Sequence, residues 1–309
     1  MPLVQTTQLN IHYEWAGNGD TVLVLLHGNL ASWRWWQPVL NRIPPGYRAY
    51  APDLRGFGET RPRRGGYSIQ FLAEDLREFA FALGLPAFHL VGHSLGGVAA
   101  LQFTLDHQEQ VRSLTLVAPA PAEGFSVFRG KGRGPRWLRR LLALPRDASL
   151  TGLDLLYRFG ATVAADAPPT SSPLATKPLR FPSQAGFRPL VRKALAGAIA
   201  SLPRDDALEA LVQDIERVPP RVVRGYARAL DEWNVEGQLG RVTVPVLILW
   251  GRKDFLIPYA GLKRTTDSLP QGQLVTWPDV GHVPQLEEPE RFVRLLKSFT
   301  EGRSSVAGV

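Results

Sequence analysis

The chain has 309 residues, no cysteine and a formal net charge of +8 at pH 7, and 44% of its residues are hydrophobic against 21% charged. These values are those of a globular protein with a substantial core, and the lack of cysteine excludes disulfides, thiol catalysis and thiolate metal sites. No apolar run approaches the roughly 20 residues that span a bilayer, and residues 1–5 lack signal-peptide features, so we expect a cytoplasmic protein without stable membrane insertion.

Short apolar segments alternate with helical patterns along the first 120 residues. Residues 4–15 alternate apolar with more polar side chains, which predicts an antiparallel edge strand or a hairpin. Four apolar runs predict buried parallel strands, at residues 21–26, 47–51, 87–91 and 112–117. Two further segments predict helices, at residues 71–83 and 95–107.

The same alternation returns after residue 240, with predicted strands at 244–250 and 273–277 and a closing amphipathic helix at 286–299. Strands that alternate with helices predict an α/β fold, in which a mostly parallel, doubly wound sheet is covered by helices on both faces.

The middle of the chain interrupts this alternation with helical segments separated by Pro, Gly and Ser. A structureless loop of this length is uncommon in a compact domain, so we interpret the segment as an inserted helical cap over one end of the sheet. The prediction is therefore an α/β core of residues 1–120 and 241–300, a cap of residues 121–240, and a flexible tail of residues 301–309.

The positive charge is concentrated in this predicted cap. Residues 121–240 contain 18 Lys and Arg against 12 Asp and Glu, which leaves 18 against 16 elsewhere. The densest part, residues 129–146, has the composition to bind phosphates or an anionic membrane surface. A solvated helix face is the interpretation that we favour, because arginine outnumbers lysine 30 to 6 along the whole chain. No zinc-finger, homeodomain or RNP pattern accompanies the charge, so we expect no nucleic acid partner.

The segment Gly92-His93-Ser94-Leu95-Gly96 has the G-x-S-x-G pattern of a nucleophile elbow, the sharp turn that exposes a serine between a strand and a helix. Small residues are needed two positions either side of the serine because the turn is strained and brings backbone into close approach. Taken alone, the pentapeptide is also an ordinary glycine-rich turn. The predicted strand before it and helix after it favour Ser94 as a nucleophile.

A serine hydroxyl needs a base to take its proton and a buried acid to orient that base. His282 lies in the loop after the last predicted strand, and Asp254 follows the strand before it, so both belong to the edge of the sheet that carries Ser94. We predict His282 as the base and Asp254 as the acid. Asp279 and Glu123 stay open as alternative acids.

The oxyanion of a tetrahedral intermediate requires two preorganised hydrogen-bond donors. The backbone N–H of Leu95, next to the nucleophile, is the first candidate. The second is the backbone N–H of Asn29, in the loop His27-Gly28-Asn29-Leu30 that follows the first buried strand, where Gly28 lets the backbone approach a substrate. His27-Gly28 alone is also typical of an ordinary turn at the end of a strand.

With these motifs in this order, the chain resembles the α/β-hydrolase superfamily, and within it the cap-bearing serine hydrolases that act as esterases and lactonases. The matching motifs are His27-Gly28-Asn29, Asp53-Leu54-Arg55-Gly56-Phe57-Gly58, Gly92-His93-Ser94-Leu95-Gly96-Gly97, Gly251-Arg252-Lys253-Asp254 and Gly281-His282. The resemblance implies the α/β-hydrolase fold. It also implies that Asp53 and Arg55 organise loops near the site, and that Trp33, Trp35 and Trp36 pack between cap and core.

Serine at the elbow indicates acyl chemistry, since the similar haloalkane dehalogenases and epoxide hydrolases use aspartate there. We therefore expect an ester-bond hydrolase that cleaves a small-molecule carboxylic ester or lactone through an acyl-enzyme, with no cofactor or metal. Three alternatives stay open: a carbon-carbon hydrolase of vinylogous keto acids, a cofactor-free perhydrolase or haloperoxidase, and a small-molecule receptor that retains the triad. The carbon-carbon branch is typified by an H-G-x-G-P loop, from which Asn29-Leu30-Ala31-Ser32 departs.

Overall fold

A computed structural model describes residues 2–62, 66–124 and 205–302 of the protein. Nine strands lie in these ranges: β1 Leu3–Gln5, β2 Leu9–Gly17, β3 Thr21–Leu26, β4 Tyr47–Pro52, β5 Arg61–Pro62, β6 Phe88–His93, β7 Val111–Val117, β8 Val246–Gly251 and β9 Gly272–Trp277. The α-helices of the same ranges are α1 Gln37–Leu40, α2 Ile69–Ala82, α3 Leu95–His107, α4 Asp205–Arg217, α5 Pro220–Glu232, α6 Tyr259–Asp267, α7 Pro284–Glu287 and α8 Pro289–Thr300. Short 3-10 helices are Trp33–Trp36, Gln108–Gln110 and Glu236–Arg241.

The strands form one sheet in the order β1-β2-β4-β3-β6-β7-β8-β9, and β5 pairs with β2 beside this path. The pairs from β4 through β3, β6, β7 and β8 to β9 are all parallel, whereas β1, β2 and β5 pair antiparallel. The predicted, mostly parallel sheet is confirmed. The predicted edge hairpin is the β1–β2 pair, which turns where the Thr6 N–H donates to the Leu9 carbonyl at 2.8 Å.

Alternate residues of the central strands pack against helices on opposite faces of the sheet. In β3, Val22, Val24 and Leu26 belong to one buried cluster, together with residues of α2 and α3. Leu23 and Leu25 belong to a second buried cluster, together with residues of α1 and α8. Because successive strand side chains point to opposite faces, near-continuous apolar runs are what a sheet buried on both faces requires.

The predicted closing helix at 286–299 is wrong as a single element. Two helices, α7 and α8, occupy this stretch, and the break lies at Glu288, whose φ is −134° and ψ is 60°. Glu288 precedes Pro289, and the proline ring disfavours helical backbone at the residue before it. Proline is tolerated in the first turn of a helix, so α8 begins at that proline.

Two helices of the predicted cap segment, α4 and α5, lie between β7 and β8 in the chain. Tyr226 of α5 stacks on Phe57 with ring centroids 5.4 Å apart, and its hydroxyl donates to the Arg55 carbonyl at 2.9 Å. The side chains of α4 form a third apolar cluster with two loops of the core, and its members are Ala31, Trp35, Leu208, Leu211, Val212, Ile215, Val283 and Leu286.

The arginine-rich residues 129–146, the Pro- and Ser-rich residues 167–173 and the tail from residue 303 lie outside the described residues. In the described ranges, none of the helices has the length and apolar character needed to cross a membrane. The cytoplasmic location stays a prediction.

Candidate active site

Ser94 lies at the turn between β6 and α3, with φ 51° and ψ −114°. Its N–H donates to the Val117 carbonyl at 2.9 Å, and its carbonyl accepts from Gly97 and Val98 at 3.0 and 3.2 Å. A positive φ is strained for a residue with a side chain and persists only where the surroundings enforce it. Ser94 is partly exposed although the residues on either side are buried, so the turn presents its hydroxyl at the surface of the core.

Glycine at positions 92 and 96 is required by the close approach of backbone across this turn. A Cβ on Gly92 would lie 2.3 Å from the Gly96 carbonyl oxygen, and a Cβ on Gly96 would lie 2.4 Å from the His27 carbonyl oxygen. These atoms belong to backbone and have little freedom to shift. The motif glycines therefore seat the start of α3 against the ends of β6 and β3.

The loop after β3 runs directly beside the elbow. A Cβ on Gly28 would lie 3.2 Å from the Cβ of Ser94. Within the described residues, the backbone N–H groups of Asn29 and Leu95 donate no hydrogen bond to the protein. Leu30, with φ 61°, turns the chain after Asn29, and its N–H donates to the Asn29 side-chain oxygen at 3.0 Å.

His282 and Asp254 are in direct contact in the loops after β9 and β8. The Nδ1 atom of His282 and Oδ2 of Asp254 are 2.8 Å apart, and both side chains are buried. The other carboxylate oxygen of Asp254 accepts from the N–H groups of Leu256 and Ile257 at 2.7 and 3.1 Å. The Asp254 carboxylate is thus held by its own loop and leaves one oxygen for the imidazole.

A carboxylate that the sequence did not single out holds the histidine loop. Glu287 in α7 accepts from the Gly281 N–H, 3.0 Å from each of its oxygens, and from the Val283 N–H at 3.2 Å. The two residues that flank His282 therefore donate to the same carboxylate. An acidic residue in the first turn after a loop was the available sequence signal, since such residues often satisfy free N–H groups near a helix start.

His93, the residue before Ser94, also contacts the histidine loop. Its Nε2 lies 3.0 Å from the His282 carbonyl oxygen, to which the ring N–H donates, and its ring stacks on Trp35 with centroids 6.0 Å apart. Burial lowers the pKa of His93 well below 6.5, and the nearby His282 acts in the same direction. His93 is therefore a neutral spacer that joins the elbow to the His282 backbone.

The two alternative acids lie elsewhere. Asp279 is exposed in the loop before His282. Glu123 forms an ion pair with Arg264, whose Nε lies 3.0 Å from its carboxylate. Among the described residues, no cluster of three or more His, Asp or Glu side chains is arranged to hold a metal ion.

Asp53 and Arg55 bind segments that neighbour the elbow in the chain or in space. Asp53 is buried and accepts from the N–H groups of Trp33 and Glu59 at 2.8 and 2.9 Å, and its carboxylate also lies 2.8 Å from Nδ1 of His12. Arg55 donates to Asp75 through its Nε at 2.7 Å. Asp53 therefore organises backbone near the site, as the resemblance implied, whereas the Asp75 partner of Arg55 lies in helix α2.

Among the described residues, Trp35 is the tryptophan that joins the apolar cluster of α4 and the core. Trp36 is buried in the core beneath the sheet, where its ring lies 5.8 Å from that of Phe292, and Trp33 packs at the edge of the same cluster. Trp35 therefore packs between a helix of the predicted cap segment and the core, and for Trp33 and Trp36 the described residues show packing against the core.

The family model described as the alpha/beta hydrolase fold matches residues 21–289. The chain belongs to this family, and the predicted fold class is confirmed. It is 26% identical over 304 residues to the 2-hydroxy-6-oxo-6-phenylhexa-2,4-dienoate hydrolase of Burkholderia cepacia, a match that covers 95% of this chain and 92% of that protein.

A second relative and a solved structure are also similar to this chain. The chain is 27% identical over 291 residues to the pimeloyl-(acyl-carrier protein) methyl ester esterase of Vibrio vulnificus, with 94% of this chain and 98% of that protein covered. An esterase from Exiguobacterium antarcticum superposes with a TM-score of 0.75 at 22% sequence identity, with 97% of this chain and 98% of that chain covered. That structural likeness shows the fold.

The packing at the elbow predicts that Gly92→Ala destabilises the protein. The added methyl group meets backbone that cannot move aside, so we expect the free energy of unfolding to fall by about 3 kcal/mol or more in denaturant titrations. Gly237→Ala is the matched control, since nothing lies within 4 Å of a Cβ at that position. We expect a change of about 1 kcal/mol or less there. Equal stability of the two variants would contradict the close approach.

The anchoring of the histidine loop predicts that Glu287→Ala lowers the free energy of unfolding by about 1.5–3 kcal/mol, because charge-assisted hydrogen bonds to buried backbone are lost. The control is Glu290→Ala, which removes a surface pair with Arg42 at 3.6 Å, where the glutamate side chain is 71% exposed. We expect less than about 1 kcal/mol there. Urea unfolding of both variants measures the difference, and similar losses would show that Glu287 is not an anchor.

Proposed function

We propose that the protein is a serine hydrolase that cleaves a small-molecule carboxylic ester or lactone through an acyl-enzyme. Ser94 is the nucleophile, His282 the general base, Asp254 the acid that orients it, and the N–H groups of Asn29 and Leu95 form the oxyanion hole. The observation that carries the proposal is the 2.8 Å contact between Nδ1 of His282 and Asp254, beside an elbow that exposes Ser94 in strained backbone.

The first step is attack by the Ser94 hydroxyl on the substrate carbonyl. Because Nδ1 of His282 donates to Asp254, the Nε2 lone pair is the one free to take the hydroxyl proton. The imidazolium that forms is stabilised by the Asp254 carboxylate, and the oxyanion by two N–H groups that have no other protein acceptor in the described residues. His282 then returns its proton to the leaving alkoxide, and water repeats the sequence on the acyl-enzyme.

Serine at the elbow supports acyl chemistry over alkyl substitution, which needs a carboxylate nucleophile. The methyl ester esterase relative supports an ester substrate, while the dienoate hydrolase relative supports a carbon-carbon hydrolase as the second candidate. The oxyanion loop favours the first, because Asn29-Leu30-Ala31-Ser32 lacks the H-G-x-G-P pattern typical of the second. We assign the substrate-selecting cap to residues 121–240.

The proposal predicts that the purified protein hydrolyses short p-nitrophenyl esters and that Ser94→Ala abolishes this turnover. A fluorophosphonate probe, which forms a covalent adduct with activated serines, should label the wild type and leave Ser94→Ala unlabelled. Intact-mass measurement identifies the adduct. Tight ligand binding with no turnover and no labelling would favour the receptor alternative, and turnover of vinylogous keto acids far above that of esters would favour the carbon-carbon hydrolase.

The roles of Asp254 and His282 predict a second result. Asp254→Asn keeps the shape of the side chain but offers an amide N–H or a neutral oxygen to Nδ1, so the favourable tautomer and the charge are both lost. We expect kcat to fall by about 10⁴-fold with little change in KM. Asp279→Asn, at the exposed alternative, is the matched control and should retain wild-type kcat. The reverse order of effects would assign the acid to Asp279.

A further inference from the structure

A buried polar contact joins α4 to the loop that follows Asn29. The hydroxyl of Ser32, which is fully buried, donates to the carboxylate of Asp214, 182 residues further along the chain. Nη1 of Arg34 donates to the other oxygen of the same carboxylate at 3.1 Å. Asp214 is itself only 5% exposed. A buried carboxylate with two partners from one loop fixes the position of that loop, because losing Arg34 leaves a buried charge unpaired and losing Ser32 leaves a buried oxygen without its hydrogen bond.

Ser32 forms hydrogen bonds both within this loop and to α4. It is the N-cap of the 3-10 helix Trp33–Trp36, where its Oγ accepts from the Arg34 N–H at 3.2 Å while it donates to Asp214. The next residue, Trp33, donates its N–H to Asp53 in the core at 2.8 Å. The loop is therefore bound to the core through Asp53 and to α4 through Asp214.

The other end of the loop is also fixed. Burial lowers the pKa of His27 and keeps the ring neutral, with Nδ1 donating to the Gly28 carbonyl at 2.8 Å and Nε2 accepting from the Leu54 N–H at 2.9 Å. Only residues 28–31 separate this anchor from Ser32. Asn29 and the strained Leu30 lie within these four residues, so the direction of the Asn29 N–H depends on both anchors.

The apolar face of α4 covers the same region. Leu211 and Ile215 belong to one buried cluster with Ala31 of this loop and with Val283, the residue after His282. Burial raises the pKa of Asp214, whereas the hydrogen bond from Ser32 and the positive charge of Arg34 act to lower it.

We propose that Asp214 is a positioning residue that acts through Ser32: when α4 is seated, it fixes the loop of residues 28–34 and so aims the Asn29 N–H at the reaction centre. The proposal rests on the proposed function of that N–H. It means that seating of α4 and assembly of the oxyanion hole are one event.

The test measures ester hydrolysis by wild type, Ser32→Ala, Asp214→Ala and the double variant. We expect each single change to lower kcat by about 10-fold or more with KM within about 2-fold. A misdirected N–H donor stabilises the transition state less but leaves the binding of the substrate unchanged. The double variant should lose no more than the worse single variant, because both changes remove the same hydrogen bond. Asp214→Asn, which keeps an oxygen acceptor for Ser32, should regain most of the kcat that alanine loses.

Arg217→Ala is the matched control. It removes an exposed ion pair between the same helix and the core, in which Nη1 of Arg217 lies 3.9 Å from Glu59, and it should leave kcat unchanged. The inference is overturned if the singles leave kcat unchanged, if only KM rises, if the losses add in the double variant, or if Asp214→Asn is as impaired as Asp214→Ala. If Ser32→Ala does not fold, the comparison of Asp214→Asn with Asp214→Ala tests the inference by itself.

Hydrogen exchange of the amides of residues 28–34 separates this inference from the proposed function. We expect faster exchange there in Ser32→Ala and Asp214→Ala than in wild type and Arg217→Ala. If the wild type does not hydrolyse esters, the proposed function fails, and the exchange data still report whether Asp214 fixes the loop. If the wild type hydrolyses esters and exchange in this loop is the same in all variants, the inference alone fails.

Discussion

The strained turn at Ser94 is the constraint on which the rest of the site depends. A positive φ at a residue with a side chain is held only if the backbone on both sides has no other path, and here α3 begins in contact with the ends of β6 and β3. That contact leaves no room for side chains at Gly92 and Gly96. It also brings the loop after β3 against Ser94. Because parallel strands end at one edge of the sheet, the loops after β8 and β9 reach the same place. Fold and site are thus set by the same backbone packing.

The position of His282 is determined by three groups from different parts of the chain. Asp254 binds the ring, Glu287 holds the N–H groups on either side of the residue, and His93 donates to its carbonyl. Each contact alone is a hydrogen bond of ordinary length. Together they leave the ring little freedom to rotate or shift, which keeps reorganisation small in the proton transfer that the proposed function assigns to His282. The same contacts stabilise the fold, because all of them satisfy buried polar groups.

Sequence patterns predicted the features that depend on local residue spacing. They did not predict the contacts that depend on long-range packing. Near-continuous apolar runs identified the central strands to within two residues, and the G-x-S-x-G motif identified the elbow, because period and glycine spacing are local properties. The break at Pro289 was a local signal that the prediction overlooked. Glu287 carried a weak local signal. Asp214 carried none, since its partner Ser32 is 182 residues away and nothing in a polar helix face distinguishes one carboxylate from another. His93 was hidden as the variable position of the motif that contains it.

Under the proposed function, the placement of α4 links the substrate specificity of this protein to its rate. Its apolar face contacts both the loop that carries Asn29 and the loop that carries His282, through Ala31 and Val283, and the buried carboxylate of Asp214 reaches Ser32. A helix placed in this way cannot shift to admit a different substrate without also displacing groups beside the reaction centre, because close-packed interfaces move as units and do not deform gradually. Substrates that let α4 remain seated are therefore favoured in kcat as well as in binding. On that proposal, discrimination between substrates arises from the rigidity of a helix outside the sheet, and the elbow itself does not need to change.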